Sequence, residues 1–378
     1  MNLRCKISIA LFLTVLSSYA QEKKDKEYFL LIGTYTSPGK SEGIYVYDYN
    51  GATGNATFKT KANIQNPSYL AISKDHKKVY SVSEMGKGNG AISAFNFNNH
   101  TGELSFINSV SSGGDGPCYV AVSDKDDYVF SANYSGGSLA AIKVIENGSL
   151  GENIQSIQHE GKSIHKDQYK PHVHSVILSP DNKYLIAADL GTDKIHVYRF
   201  RPEDENALSA AEPAFIKTKP GSGPRHLTFH PNGKFLYSIN ELDGSIGAYS
   251  YNDGKLQEIQ SITMLPEGFK GTIEAADIHI SPDGKFLYGT NREDANEIVT
   301  YSIQKNGKLK YAHRNSVLGK APRNFAIDPA GNFLLVANQN TDEIIVFRRN
   351  KNNGGLTFTG TKIPISRPVC LKFVPIAK

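Results

Sequence analysis

The sequence GPRHLTFHPNGKFLYSINEL, residues 223–242, contains two short, mostly apolar runs, residues 226–230 and 235–239, separated by Pro-Asn-Gly. Apolar runs of this length on either side of turn-forming residues are typical of two antiparallel strands joined by a tight turn. Five further stretches align with this one without a gap, so the chain carries six complete copies. The other five begin at residues 66, 116, 172, 274 and 321.

A seventh copy is divided between the two ends of the chain. RPVCLKFV, from Arg367, supplies its first strand, and YFLLIGTY, from Tyr28, supplies its second. The copies begin roughly 46 to 56 residues apart, a period typical of propellers, solenoids and arrays. Two more strand-like segments follow each copy, which makes each repeat a four-stranded antiparallel meander. We therefore predict an all-β fold, a single seven-bladed β-propeller over residues 28–378, closed by pairing of the N- and C-terminal strands.

The first 20 residues differ from the rest of the chain. Arg4 and Lys6 precede an apolar run over residues 7–16, and Ser18-Tyr19-Ala20 has the small-x-small form of a cleavage site. The less favoured alternative is a membrane anchor, because a transmembrane helix needs about 20 apolar residues and this run has about half of that. We predict a signal peptide over residues 1–20, a charged leader over residues 21–27, and export to the periplasm or the cell exterior.

Composition excludes several classes of function. The formal net charge of +5 falls to +3 once residues 1–20 are removed, which is too small and too evenly spread for a nucleic-acid surface. No stretch after residue 20 is long and apolar enough to span a bilayer, so we expect no membrane insertion of the mature chain. Cys118 and Cys370 occupy different positions in different copies, which favours two buried thiols over a disulfide. The sequence contains no CxxC, HExxH or EF-hand pattern, and it predicts no dedicated metal site.

Two sets of positions in the repeat are expected to surround the mouth of the central channel. The first strand of each blade lines that channel and the second runs back beside it, so the third residue of each copy and its last two residues share one face. The third residues are Ser68, Cys118, His174, Arg225, Ala276, Arg323 and Val369. The last pairs are Thr34-Tyr35, Ser83-Glu84, Asn133-Tyr134, Asp189-Leu190, Asn240-Glu241, Asn291-Arg292 and Asn338-Gln339.

These equivalent positions differ from copy to copy, although a repeat favours similar residues at equivalent places. Three arginines, a glutamate and a histidine converging on one cavity suit an anionic ligand whose carbonyl is attacked by water. The alternative is that the charges only pair with one another at a wet channel entrance. The recurrent penultimate Asn has a stronger structural alternative, because Asn often holds a strand end by bonding to backbone groups.

Four stretches resemble the lactonase family of seven-bladed propellers, which includes bacterial 6-phosphogluconolactonases and, more distantly, fungal carboxymuconate cyclases. They are PHVHSV (residues 171–176), the copy at residues 223–242, EAADIHISPDGKFLYGTNR (residues 274–292) and APRNF (residues 321–325). The resemblance covers essentially the whole chain after residue 27. It implies a cofactor-free enzyme whose partner is a small anionic lactone. The family's proposed catalytic cluster matches His174, Arg225, Glu241 and Arg292, which the ring positions also select.

Residues and resemblance together predict a lactone hydrolase. Glu241 is expected to act as general base and His174 as proton donor to the leaving oxygen, although the two roles could be exchanged. Arg225 and Arg292 are expected to bind the oxyanion or a substrate carboxylate. The candidates for substrate binding are His226, Arg323, Asn240, Asn133 and Gln339.

The sequence leaves two other functions open, a lactonising isomerase and a propeller that only binds a glycan or a protein. The oligomeric state is open as well. The best-known family members act on a phosphorylated lactone in the cytoplasm, whereas this chain carries an export signal. The chemistry is therefore a firmer expectation than the substrate.

Overall fold

The computed structural model describes residues 27–377, apart from the side chain of Asn153, and these residues form 28 β-strands in seven sheets. Each sheet has four strands in consecutive antiparallel pairing. The inner strands of neighbouring sheets contact one another in a closed order around the channel. The predicted seven-bladed β-propeller is confirmed.

The strands of the first four blades, each from its inner to its outer edge, are β28 (Pro368–Pro375), β1 (Glu27–Thr34), β2 (Gly43–Asn50) and β3 (Ala56–Asn63); β4 (Leu70–Ile72), β5 (Lys78–Ser83), β6 (Ala91–Phe97) and β7 (Leu104–Ser111); β8 (Pro117–Val122), β9 (Tyr128–Asn133), β10 (Ser138–Val144) and β11 (Leu150–Gln158); β12 (Val173–Leu178), β13 (Tyr184–Asp189), β14 (Lys194–Phe200) and β15 (Leu208–Lys217). Those of the last three are β16 (Pro224–Phe229), β17 (Phe235–Asn240), β18 (Ser245–Asn252) and β19 (Lys255–Thr263); β20 (Ala275–Ile280), β21 (Phe286–Asn291), β22 (Glu297–Ile303) and β23 (Leu309–Ser316); β24 (Pro322–Ile327), β25 (Phe333–Asn338), β26 (Glu343–Arg349) and β27 (Leu356–Pro364).

The two ends of the chain close the ring, as the split copy predicts. β28 pairs with β1 in antiparallel register, with Leu30 opposite Phe373 and Ile32 opposite Leu371. This pairing leaves no open edge between the first and last segments of the chain. β1 begins at Glu27, one residue before the predicted boundary. The predicted signal peptide and residues 21–26 of the leader lie outside the described residues. Over residues 27–377 no helix is long and apolar enough to cross a membrane.

The core lies between the blades, because each sheet has two faces to cover. Phe29, Tyr80 and Val129 come from three consecutive blades and belong to one buried cluster. Tyrosine hydroxyls add a recurring bond from one blade to the next. Tyr80, Tyr237 and Tyr288 donate to the carbonyls of turn glycines in the following blade, at 3.4, 2.8 and 2.9 Å. Apolar packing and these bonds fix the angle between blades, and so the spacing of side chains at the mouth.

Candidate active site

A β-bulge places the third residue of the copy at the channel mouth. In the blade of β16 and β17, Pro224 pairs with Asn240 and His226 with Ile239, which leaves Arg225 as the extra residue. The same shift occurs at His174 in β12 and at Arg323 in β24. A bulge breaks the alternation of a strand and turns a side chain in a new direction. The ring positions selected from the sequence therefore rest on an irregularity of the inner strands.

Glu241, His174, Arg225 and Arg292 meet at the mouth, and we call them the Glu241 cluster. One oxygen of Glu241, Oε2, lies 2.6 Å from Arg225 Nε, 3.2 Å from Arg292 Nη2 and 3.9 Å from His174 Nε2. The Glu241 side chain keeps 13% of its surface exposed, whereas that of Arg225 keeps only 2%. The carboxylate is thus the most accessible member of that pair.

The contacts of Glu241 are close in distance but poorly aligned. Neither guanidinium points an N–H along the line to Oε2, so Oε2, Arg225 Nε and Arg292 Nη2 lack an aligned hydrogen-bond partner within residues 27–377. The short distances therefore mark ion pairs rather than linear hydrogen bonds. Arg292 is also held by Glu274, whose carboxylate lies 3.1 Å from Nη1 and whose carbonyl accepts from Nε at 3.2 Å. Donors and acceptor alike retain capacity for a further ligand.

The electrostatics of the cluster keep Glu241 charged and His174 neutral. Burial by itself raises the pKa of the Glu241 carboxyl, but the neighbouring arginines outweigh it and hold that pKa below its ordinary value of 4.5. Burial lowers the pKa of His174, and the charge of Arg225 lowers it further, to well below 6.5. The other ring nitrogen of His174, Nδ1, lies 3.6 Å from the Cys118 sulfur. At neutral pH the cluster offers a carboxylate, two guanidinium groups and an uncharged imidazole.

A second carboxylate lies across the mouth, and we call Glu84, Tyr35, Ser68 and Arg323 the Glu84 cluster. Glu84 Oε2 accepts hydrogen bonds from the Tyr35 hydroxyl, at 2.7 Å, and from Ser68. Arg323 lies over the Tyr35 ring, 5.5 Å from its centroid. In the described part of the chain Arg323 forms no ion pair within 4.0 Å and no side-chain hydrogen bond. Of the three arginines in the predicted set, Arg323 alone has no carboxylate within 4.0 Å among these residues.

The structure places the other predicted substrate-binding residues differently. Asn133 donates to the Ser112 carbonyl, in the segment that follows β7 of the preceding blade, at 3.0 Å, and Asn240 donates to the Ser245 hydroxyl of its own blade at 2.9 Å, so both amides have partners within the fold. These bonds match the structural alternative for the recurrent Asn. Gln339 is partly buried, and its backbone N–H donates to the Ala321 carbonyl at 3.0 Å. His226 is buried beneath the mouth, and burial lowers its pKa to about 3, so it supplies no positive charge.

Three residues of this region had no role in the sequence-based prediction. Tyr134 packs edge-on to His174, with ring centroids 5.2 Å apart, and both burial and Glu241 raise the pKa of its hydroxyl. Tyr35 forms the bond to Glu84 described above. Both tyrosines stand in the last position of their copies, so the ring positions could have identified them. Asp277 lies below the ring, and its only signal is an acidic residue inside an apolar strand.

The cavity at the mouth is small. Its volume of about 10 Å³ is room for roughly one water molecule, and its lining includes Ser68, Glu84, Cys118, Arg225 and Arg323. A larger groove of about 550 Å³ lies between blades, against β10, β11 and the loop at residues 202–207. That groove has no cluster of converging buried charges. The chemistry therefore points to the mouth and not to the larger groove.

Another group with two histidines lies where the segment after β11 meets the blade of β12 to β15. His159, Asp189 and His196 have ligand atoms within 4.8 Å of one another. However, the fold already uses most of these atoms: Asp189 accepts from His159 Nδ1 at 2.9 Å and from the backbone N–H groups of His172 and Gly191. His159 Nε2 is 2.8 Å from the Tyr198 hydroxyl. These residues therefore form a structural hydrogen-bond network rather than a metal site.

Comparison with known proteins agrees with this architecture. The family model described as a lactonase, seven-bladed β-propeller, matches residues 29–373. A 6-phosphogluconolactonase of Bacillus subtilis is 35% identical over 351 residues, which cover 92% of this chain and 99% of the relative. Another from Formosa agariphila is 38% identical and covers 86% of this chain and 94% of its own.

A solved structure is similar over almost the same length. It is a periplasmic gluconolactonase of Pseudomonas aeruginosa, 41% identical, with a TM-score of 0.90 and coverage of 93% of this chain and 100% of its own. Both the family match and the identities extend over the whole propeller, including the blades that carry the Glu241 cluster. The chain therefore belongs to the lactonase family of seven-bladed β-propellers, an enzyme family that hydrolyses lactones, which confirms the resemblance seen in its sequence.

Proposed function

We propose that the chain hydrolyses a sugar-derived, anionic lactone at the Glu241 cluster. The observation that carries this proposal is the position of Glu241 Oε2, within 3.2 Å of two guanidinium groups and 3.9 Å from His174 Nε2. Ester hydrolysis needs a base for water and donors for the oxyanion, and this cluster contains both. The printed names of the relatives, 6-phosphogluconolactonase and gluconolactonase, support a sugar-derived substrate.

The reaction begins with water between Glu241 and His174. Two atoms 3.9 Å apart can both bond to one water at about 2.8 Å. Glu241 accepts a proton as the water oxygen forms its bond to the lactone carbonyl carbon. The negative charge that develops on the carbonyl oxygen is stabilised by N–H groups of Arg225 and Arg292.

The second step breaks the ring C–O bond. The proton on Glu241 passes to the departing ring oxygen, so the products are a hydroxyl and a carboxylic acid, which then ionises. A carboxyl whose pKa is held low by arginines is a strong proton donor once protonated. His174, being neutral, orients the water and the ring oxygen by hydrogen bonding. In this mechanism Glu241 carries out both proton transfers, and His174 carries out neither.

Arg323 supplies the contact for an anionic substituent. It has no carboxylate partner within 4.0 Å among the described residues, and it lies on β24, in the blade next to that of Arg292 and beside the Tyr35 ring. A guanidinium binds phosphate and carboxylate groups through paired N–H donors. We therefore assign the substituent of the lactone to the Arg323 side and its carbonyl to the Glu241 side.

A lactonase assay tests this function. Hydrolysis at neutral pH releases one proton per turnover because the acid product ionises, so a pH indicator follows the reaction above the spontaneous rate. The purified chain is compared on gluconolactone, its 6-phosphate and a carboxylated lactone. We expect catalysed proton release with at least one of the three. No acceleration of any of them, together with binding of a glycan or protein, would favour the binding platform. Proton uptake from an unsaturated dicarboxylate that closes to a lactone without loss of water would favour the isomerase.

Export is the second part of the proposal. It is supported by the basic start, short apolar run and small-residue site of residues 1–20 and by the printed periplasmic location of the Pseudomonas aeruginosa relative. We propose cleavage after Ala20, which leaves Gln21 as the first residue. Intact-mass measurement of the periplasmic or secreted protein tests this, and a protein that still carries Met1 would contradict it.

A further inference from the structure

A chain of hydrogen bonds runs beneath the mouth from Arg225 to a buried aspartate. Arg225 Nη1 lies 3.1 Å from His226 Nε2, and His226 Nδ1 lies 2.8 Å from Asp277 Oδ1. Arg225 Nη1 also donates to the Ala276 carbonyl at 2.5 Å. The Asp277 side chain keeps only 1% of its surface exposed. These hydrogen bonds therefore connect the Glu241 cluster to a carboxylate that substrate does not reach.

The direction of each bond is fixed by the chemistry of arginine. A guanidinium only donates, so His226 Nε2 is the acceptor and carries no proton. Because His226 is neutral, its proton is on Nδ1, and that N–H donates to Asp277. Asp277 thereby selects one tautomer of His226, and only this tautomer can accept a bond from Arg225.

The Asp277 carboxylate is held in place by several hydrogen bonds. Its other oxygen, Oδ2, accepts bonds from His279 Nε2 at 2.9 Å, Asn324 Nδ2 at 2.6 Å and the Phe325 backbone N–H at 3.2 Å. Burial by itself raises the pKa of Asp277, but His279 and these bonds outweigh it and hold that pKa well below 3.8. The carboxylate is therefore ionised at neutral pH, and it bonds to residues of its own blade and of the blade on either side.

We propose that Asp277 is a positioning residue for the lactonase reaction: through the tautomer of His226 it orients the Arg225 guanidinium toward Glu241. This inference rests on the proposed function, since it assigns Arg225 to the reaction. Asp277 has no contact with substrate in this assignment. The alternative is that Asp277 only joins blades, and the variants below separate the two roles.

Asp277→Asn replaces one carboxylate oxygen, an acceptor, with an NH₂ group, a donor, while the size of the side chain hardly changes. The amide oxygen of the new side chain takes the place of Oδ2, because three donors bond there and, among the described residues, only His226 bonds at Oδ1. The NH₂ group then faces His226. His226 must accept at Nδ1, so its proton moves to Nε2, where it meets a guanidinium N–H. Arg225 is displaced, and we expect kcat to fall by roughly tenfold or more, with a smaller change in KM, as when an orienting partner is lost.

His279→Gln is the matched control. His279 bonds to the same carboxylate, but from the side away from Arg225, and its side chain is 34% exposed. If Asp277 only joins blades, Asp277→Asn and His279→Gln should lower activity in proportion to their loss in Tm. Positioning predicts that His279→Gln keeps kcat near the wild-type value at a similar loss in Tm. A kcat that follows Tm in both variants would overturn the proposal.

Two single substitutions of His226 test the path of bonds from Asp277 to Arg225 without the Asp277→Asn variant. Glutamine has an oxygen to accept from Arg225 and an NH₂ group to donate to Asp277, whereas phenylalanine fills the space beside Tyr69 and Tyr119 with neither. We expect His226→Gln to retain much more of kcat than His226→Phe. We also expect Asp277→Asn to have little further effect in a His226→Phe background, because the route is already broken. Equal losses in Gln and Phe, or effects that multiply in the double variant, contradict the proposal.

A measurement without substrate separates this proposal from the proposed function. ¹⁵N NMR of histidine-labelled protein distinguishes the two neutral tautomers of an imidazole. We expect His226 to be protonated at Nδ1 in the wild type and at Nε2 in Asp277→Asn. If the wild-type protein hydrolyses no lactone and the tautomer still changes, the proposed function fails while the orienting contact stands. A wild-type His226 protonated at Nε2 overturns the contact itself.

Discussion

Glu84 and Glu241 occupy the same position in two copies of the repeat, yet their surroundings differ. Glu241 lies within 3.2 Å of two guanidinium groups, and both pairs lack aligned hydrogen bonds. Glu84 accepts from two neutral hydroxyls, Tyr35 and Ser68. The equivalent backbone position delivers both carboxylates to the mouth, and the neighbouring blades decide what each one does. Glu241 lies between two arginines and can still accept a hydrogen bond, whereas Glu84 already accepts bonds from its neighbours.

The largest expected effect separates the two carboxylates directly. Glu241→Gln should lower turnover by roughly a hundredfold or more, the usual contribution of a positioned general base. The ring should still fold, but Tm should fall because Arg225 and Arg292 lose their shared carboxylate. Glu84→Gln keeps an acceptor for Tyr35 and Ser68 and should cost far less turnover. Kinetics and Tm of both variants check this, and near-normal hydrolysis by Glu241→Gln would remove Glu241 from the mechanism.

Glu274→Gln provides a control for the charge of the Glu241 cluster. Glu274 also pairs with Arg292, at 3.1 Å, but its side chain is 40% exposed and belongs to the rim. Loss of this carboxylate should leave turnover close to that of the wild type. If Glu274→Gln lowers turnover as much as Glu241→Gln, the effect reflects local charge and not proton transfer.

The arginines of the two clusters should differ in the kinetic constant that they control. Arg225→Lys keeps the charge but loses the planar fork, so we expect kcat to fall by about tenfold or more. Arg323→Lys should mainly raise KM, and only for a lactone with an anionic substituent, because its contact is the same in ground state and transition state. Steady-state kinetics on gluconolactone and its 6-phosphate distinguish these outcomes. Equal changes in kcat and KM for both variants would mean that the two sides of the mouth share one role.

The pH dependence of kcat/KM gives a finer test. The pKa of Glu241 lies below 4.5, so the carboxylate stays charged, and activity persists as pH falls to 4.5 and is lost only below it. The pKa of His174 lies well below 6.5, so no change in activity should occur near pH 6.5. Initial rates corrected for spontaneous hydrolysis check both statements. A clear inflection near 6.5 would show that His174 titrates in the reaction and would restore it as a proton donor.

The smallest expected effect concerns the hydroxyl bonded to Glu84. Tyr35→Phe removes the donor at 2.7 Å and keeps the ring beneath Arg323, so stability should fall by about 1 kcal/mol, with little change in kcat. Tyr134→Phe is the counterpart beside His174, where no hydrogen bond holds the hydroxyl among the described residues. That variant should change stability less. Thermal unfolding of both proteins measures the difference, and equal Tm values would show that Glu84 is not held by Tyr35.

The repeat made most of the fold and part of the site predictable. Seven copies of a strand, turn and strand pattern determine the number of blades, and the split copy determines how the ring closes, because both follow from local patterns that recur along the chain. Position within the copy also selected His174, Arg225, Glu241 and Arg292, since equivalent residues of a propeller share one face. The same reasoning assigned Asn133 and Asn240 to substrate, although their amides bond to Ser112 and Ser245.

Tertiary structure alone decided the partners and protonation states. The bulge that turns Arg225 toward the mouth appears only in the pairing of β16 with β17. His226 and Asp277 are 51 residues apart in the chain and 2.8 Å apart in space, so no local pattern connects them. Burial and neighbouring charge set the pKa of His174 and Glu241, and both depend on distances between blades. Sequence determined which residues reach the mouth, because that depends on repeat position, whereas their chemistry depends on contacts across the ring.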